Sequence, residues 1–179
     1  MEEPAQKPAR EIRPPRPVTT AYLERAALAY LERFASSSEN LRRVLRRKVE
    51  RRCRLRGEPP EPSLALVDEV VGRSLRSGLL DDRRFAEGRV ASLRRRGGSA
   101  RLIGAKLAAK GVERSVIAEA LGAEPEDELA AAHALARRRK LGPYRPGERA
   151  PYRDKDLAAL ARAGFAYGVA REVIDGDAA

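Results

Sequence analysis

The chain has 179 residues, and its 37 Lys and Arg outnumber 26 Asp and Glu to give a formal charge of +11. A surface of that sign attracts polyanions, either nucleic acid or an acidic protein face. The single cysteine, Cys53, excludes an intramolecular disulfide and fits a reducing compartment. The N-terminus lacks the apolar core of a signal peptide, and no run of about 18 apolar residues is present to span a membrane. A cytoplasmic chain is expected.

Aromatic residues make up 4%, and Ala, Leu, Arg and Glu dominate after about residue 19, so the composition predicts an all-α fold. Residues 1–18 carry Pro4, Pro8, Pro14, Pro15 and Pro17 among charged residues, which predicts a disordered, Pro-rich basic arm. Helical periodicity starts near Thr19, with Leu23, Ala27, Leu28, Leu31 and Phe34 on one apolar face. Ser36 and Glu39 have capping-box spacing, so a second helix is expected there, burying Leu41, Val44, Leu45, Val49 and Cys53 and closed by Gly57, Pro59, Pro60 and Pro62. A third runs from about Ser63 to Arg76, with Leu64, Val67, Val70, Val71 and Leu75 inside and Gly78 as its stop. Asp81 then caps a fourth helix, with Leu80 and Phe85 at the two hydrophobic-staple positions.

A shift of 62 residues places Leu23 on Phe85, Leu28 on Val90, Leu31 on Leu93, Ser37 on Ser99, Leu41 on Ile103 and Leu45 on Leu107. A shift of 53 takes Leu107 to Leu160, Gly111 to Gly164, Val112 to Phe165, Val116 to Val169 and Leu121 to Ile174. The pattern reads as three tandem three-helix repeats, over 19–78, 79–122 and 123–179, the last interrupted by a Pro/Gly loop at 142–151. One three-helix unit buries too little surface alone, so the repeats are expected to stack into an elongated, curved array.

The densest cationic stretch is on the second helix: Arg42, Arg43, Arg46, Arg47, Lys48, Arg51 and Arg52, with positions 43, 47, 51 and 54 forming a ridge. Only Glu50 lies among them between Leu41 and Gly57, so little self-pairing is expected and the ridge is assigned to phosphate or an acidic partner. Arg94, Arg95 and Arg96 end the first helix of the second repeat, and Arg137, Arg138, Arg139 and Lys140 end that of the third. Cations in a last turn also complement the helix dipole, as Glu124, Glu126, Asp127 and Glu128 do at the other end. Their recurrence nonetheless assigns both clusters to one binding side.

Catalysis has little support. His133, the one histidine, lies among alanines without a ligand-spaced partner, and Asp81 and Asp82 are better placed as helix-start residues than as paired catalytic carboxylates. No phosphate loop or nucleophile elbow is present, and no cofactor or metal is expected. The rival reading is a helix-turn-helix DNA reader over Ile103, Leu107, Gly111, Val112, Ile117 and Leu121. Its reading helix would offer only Arg114 and Ser115 beside Glu113 and Glu119, a poor set for base edges.

The stretch Gly78-Leu79-Leu80-Asp81-Asp82-Arg83-Arg84-Phe85-Ala86 resembles the RecX family. So do Arg101-Leu102-Ile103 with Leu107 and Lys110-Gly111-Val112, the run Arg138-Arg139-Lys140, and Gly164-Phe165 with Tyr167. The resemblance covers about residues 20–175. It implies a non-enzymatic, monomeric regulator of the RecA recombinase in DNA repair and the SOS response. Such a regulator binds in the groove of the RecA-DNA filament, restraining its ATPase, strand-exchange and coprotease activities, and the DNA backbone is a further expected contact. Gly78, Leu80, Asp81, Asp82, Phe85, Gly111 and Gly164 are read as structural and the Arg clusters as partner-facing. Charge reversal at Arg43 and Arg47 is then expected to weaken filament binding while leaving helicity intact, as circular dichroism beside a binding titration would show.

Overall fold

The computed structural model describes residues 14–122 and 125–178, excluding the side chains of Pro125 and Glu126. Residues 1–13 of the expected arm, and Glu124 and Glu126 of the expected acidic helix start, lie outside that description. Among the described residues the chain is all-α, with no strand. Its helices are α1 (Thr20–Leu31), α2 (Ser38–Arg56), α3 (Glu61–Arg76), α4 (Asp82–Arg94), α5 (Ala100–Ala109), α6 (Arg114–Leu121), α7 (Pro125–Arg139), α8 (Arg153–Arg162) and α9 (Tyr167–Asp175). Two single 3-10 turns, Gly142–Tyr144 and Ala150–Tyr152, stand between α7 and α8.

Local chemistry starts these helices where side chains can satisfy free amides. Thr19, Ser37, Asp81 and Ser99 cap α1, α2, α4 and α5, each accepting from the backbone N–H three residues on at 2.9–3.2 Å. The cap of α2 is therefore Ser37, one residue beyond the expected Ser36. Glu39 does not close a capping box and instead turns outward to Arg42 and Arg43, while the Ser36 hydroxyl donates to the Ser37 carbonyl and accepts from Asn40. Pro62 does not break the chain. It sits in the first turn of α3, where an amide hydrogen has no intrahelical acceptor anyway.

Among the described residues, buried side chains form three clusters. Leu23, Leu41, Leu45, Val49, Val67 and Val71 centre the first. Ala86, Val90, Leu93, Ile103 and Leu107 centre the second, and Leu135, Leu141, Leu157, Leu160, Phe165 and Val173 the third. Leu80 is buried in the first cluster although it immediately precedes α4, whereas Phe85, half-buried, packs on the second. The staple residues thus face different cores and tie one unit to the next. Gly78 carries the turn that lets the Leu80 amide reach back to the Ser74 carbonyl at 3.0 Å.

Three residues expected inside are outside. Leu28 is 46%, Phe34 50% and Leu75 41% exposed. Leu23 and Ala27 are the buried residues of α1, but α4 buries Ala86, Val90 and Leu93, positions equivalent to Glu24, Leu28 and Leu31. The two first helices therefore turn different faces inward, and Leu28 is left on the surface where its counterpart Val90 is covered.

The units are joined by one device used twice. The Ser37 hydroxyl, while capping α2, donates to the Lys110 carbonyl at the end of α5 at 2.5 Å, and Ser99, capping α5, donates to the Ala163 carbonyl at the end of α8 at 2.7 Å. The first amide of each capped helix receives a carboxylate from the next unit. Asp82 of α4 accepts from the Ser38 N–H at 2.7 Å and its hydroxyl at 2.6 Å, and Glu128 of α7 accepts from the Ala100 N–H at 3.0 Å. Gly111 and Gly164, both left-handed (φ 76° and 95°), follow the two carbonyls and press against the neighbouring helix start. A Cβ on Gly111 would lie 2.5 Å from the Glu39 Cβ, and one on Gly164 2.6 Å from the Ser99 hydroxyl.

Residues 14–18 lie against the first unit: Val18 packs on its core and Arg56 donates to the Pro15 carbonyl at 2.6 Å. The 142–151 segment is also built in, since Gly142 and Pro143 are buried and buried Asp156 accepts from the Gly142 N–H at 2.8 Å and from Arg145 at 2.5 Å. Gly111→Ala and Gly164→Ala each combine left-handed strain with a clash and are expected to destabilise by about 2 kcal/mol or more. Thermal melts should show Tm lower by roughly 4 °C or more. Gly168→Ala, in α9 with open space around it, should hold or slightly raise Tm.

Candidate functional site

The α2 ridge divides in two. Arg42 bonds Glu39 at 2.6 Å and Asp68 of α3 at 2.7 Å, Arg46 lies 3.8 Å from Asp68, and Arg43 donates to Glu39 at 3.2 Å and to the Ala109 carbonyl at 2.9 Å. The expectation of little self-pairing fails for these three because the acids come from the first turn of α2 and from the neighbouring helix, which residue spacing within 41–57 does not reveal. Arg52 stacks on Tyr22, 3.8 Å from the ring centroid. Arg47, Lys48, Arg51 and Arg54 are exposed and, among the described residues, have no carboxylate partner.

The Arg94–Arg96 cluster also divides. Arg94 is largely covered, donating to the Gly98 carbonyl at 3.3 Å and pairing with Glu128, the carboxylate that serves the α5 start. Its side chain is engaged at the joint. Arg95 and Arg96 are exposed. Of the later cluster, Arg137 lies 5.3 Å from the Tyr144 ring centroid, while Arg138, Arg139 and Lys140 are exposed. His133 packs edge-on to Tyr144, with 3.0 Å from Nδ1 to the phenol oxygen.

What the sequence holds apart, the joints bring together. Between the second and third units a cleft of about 380 Å³ is lined by Arg96, Lys106, Arg138, Arg139 and Arg162 over Leu93, Leu102 and Leu135, with Gly97 directly under the α7 backbone. Lys106 and Arg162 are absent from the sequence-derived set, because neither lies in a charge run. The first joint carries the equivalent cleft, about 570 Å³, lined by Tyr30, Arg33, Phe34, Asn40, Arg84, Phe85, Arg89 and Lys110. Phe34 and Asn40 stand 62 residues before Arg96 and Leu102, and Lys110 53 before Ala163, the same shifts that relate the repeats. Among the described residues neither lining contains a carboxylate.

The turn of the rival DNA-reading arrangement is occupied. Gly111 lies under Glu39 of the preceding unit, and Glu119 of α6 pairs with Arg83 at 2.5 Å, so α5 and α6 are packed as a repeat and not presented as a free reading pair.

Residues 81–121 match the family model described as RecX, second three-helix domain. The chain is 43% identical to Regulatory protein RecX of Myxococcus xanthus over 98% of its own length and 96% of that protein's. It is 32% identical to Regulatory protein RecX of Agrobacterium fabrum over 86% and 82%. The chain belongs to the RecX family. A crystal structure of a regulatory protein RecX shares its fold with a TM-score of 0.63 at 22% identity, over 87% of this chain and 71% of that one. The RecX fold of stacked three-helix units thus positions the clefts, and the family is one of regulatory proteins. No helix of the described residues is long and apolar enough to cross a membrane.

Hydrogen bonds from Arg42, then Arg43, hold the Glu39 carboxyl below its ordinary range. A depressed carboxyl stabilises fully above its unfolded value, about 4.3, and that contribution is lost as pH falls through the folded value. Glu39 is a third exposed, so solvent screening keeps the effect below about 1 kcal/mol. Glu39→Gln should therefore be less stable than wild type in urea at about pH 7, and the difference should close below about pH 4.

Proposed function

We propose that this chain is a cytoplasmic, non-enzymatic, monomeric regulator that binds the RecA-DNA filament and restrains its ATPase, strand-exchange and coprotease activities in DNA repair. Family membership supports the regulatory role. The observation that carries the contact is the split of the α2 ridge: the fold pairs Arg42, Arg43 and Arg46 internally but, among the described residues, gives Arg47, Lys48, Arg51 and Arg54 no acid. Unpaired cations on a helix repel one another at a modest cost that an acidic partner surface relieves. Units joined end to end suit a partner that is itself a linear polymer, and an array bridging adjacent filament subunits resists the subunit movements that ATP turnover needs.

Purified protein at stoichiometric amounts should suppress RecA-driven ATP hydrolysis on single-stranded DNA. Arg47→Glu with Arg51→Glu should raise the half-inhibitory concentration about tenfold or more, with helicity and Tm unchanged. Those positions replace Arg43 in the test because Arg43 also holds the first joint. ATP hydrolysis indifferent to the wild-type protein would sink the reading.

A further inference from the structure

Polarity changes sign across the first joint. Two openings there share Phe34, Ala35, Arg84 and Phe85 as a common wall. One is the cationic cleft with Arg33, Arg89 and Lys110. The other is a groove of about 490 Å³ in which Glu32 and Asp81 stand beside Leu28, Leu31 and Leu79. A smaller depression of about 200 Å³ adjoins the groove and shares Leu28 and Leu79 with it. The charged residues of that depression, Glu24 and Arg73, are paired with each other and cancel.

A single exposed leucine needs no explanation, but several large apolar side chains in one charged-rimmed opening mark a contact surface. Leu28, Phe34 and Leu79 are such a set, each about half exposed. Leu79 belongs to the run Gly78 to Asp82, whose other members serve the fold. Gly78 carries the turn, Leu80 enters the first core, Asp81 caps α4 and Asp82 reaches the joint. Leu79 is the apolar member left outside, 46% exposed. Charge then selects what covers it. Glu32 and Asp81 are exposed, and among the described residues neither has a cation paired to it. Against them stands Arg84 alone of the groove's cations. On a chain of +11 this opening disfavours phosphate and acidic surface, the chemistries that suit the α2 ridge and the opposite cleft. It fits an apolar protein segment that carries Lys or Arg.

We propose that this groove docks a RecA subunit of the filament by an apolar segment, with one apolar side chain in each depression against Leu28 and Leu79 and a Lys or Arg of that segment beside Glu32 and Asp81. The inference rests on the regulatory reading and adds to it a second contact of opposite character. The α2 ridge attracts the filament through charge, which salt screens, whereas the groove holds it through burial, which salt leaves in place.

Site-specific photo-cross-linking and ATPase inhibition, both with RecA filaments on single-stranded DNA, test it. A benzophenone amino acid in place of Leu79 should cross-link to RecA, and the captured peptide should carry apolar residues beside Lys or Arg. Leu28→Gln with Leu79→Gln should raise the half-inhibitory concentration about tenfold. That factor should hold from low to physiological salt, whereas the loss caused by Arg47→Glu with Arg51→Glu should shrink over the same range. Glu32→Lys should weaken inhibition about threefold or more. Both leucines are half exposed, so circular dichroism and Tm of the Gln variant should match wild type. If wild type inhibits and the Gln variant inhibits as well, or if the cross-link goes only to DNA or to this chain itself, the groove is overturned and the regulatory reading stands. A wild type that neither inhibits nor cross-links to RecA overturns both. Cross-linking to RecA without inhibition keeps the groove and removes the regulatory reading alone.

Discussion

Everything in this molecule depends on a serine hydroxyl that serves two helices at once. At each joint it accepts from an amide of its own helix and donates to the last carbonyls of the corresponding helix in the next unit. Helix ends carry free amides and free carbonyls that cost energy when buried unpaired. Placing the start of one helix against the end of another lets the two deficits cancel, and a carboxylate, Asp82 or Glu128, completes each start. The glycine after the carbonyl is required because a side chain there would occupy the space of the opposing helix. Small units with modest cores are made into one array by this polar coupling beside their apolar contacts.

The joints also determine where positive charge is available. Arg43 and Arg94 look like members of long cationic runs, but each is spent on a joint, one on the Ala109 carbonyl and the other on Glu128. Their neighbours Arg47, Lys48, Arg51, Arg95 and Arg96 face outward. The same packing that covers Arg94 carries Arg96 toward Arg138 and Arg139 across the cleft. Charge on a run of arginines is thus sorted residue by residue into structural and solvent-facing fractions, and a substitution that ignores the sorting would confuse a broken joint with a lost surface charge.

Much of the fold was legible because its signals are local. Apolar spacing, the capping positions Asp81 and Ser99 and the repeat shifts all act within a few residues or compare like with like. Errors arose where a neighbour decided. The cap fell on Ser37 in place of Ser36 because Ser37 alone also meets the next unit's carbonyl. Leu28 was expected inside because it lies in the apolar spacing of its own helix with Leu23, Ala27 and Leu31, yet α1 and α4 turn different faces to their cores. The candidate site was half legible for the same reason: charge runs drew notice, and solitary Lys106 and Arg162 did not.

By itself, then, the sequence determined an all-helical chain, its division into three similar units, its RecX-type motif and its excess of positive charge, because these rest on composition and on spacing along the chain. Tertiary structure alone decided which arginines are free, that clusters more than 40 residues apart close on one cleft, and that Phe34 is left open beside cations. Those outcomes depend on which helix end meets which. That meeting is set by hydrogen bonds and close packing between units, over distances in sequence that no local pattern encodes.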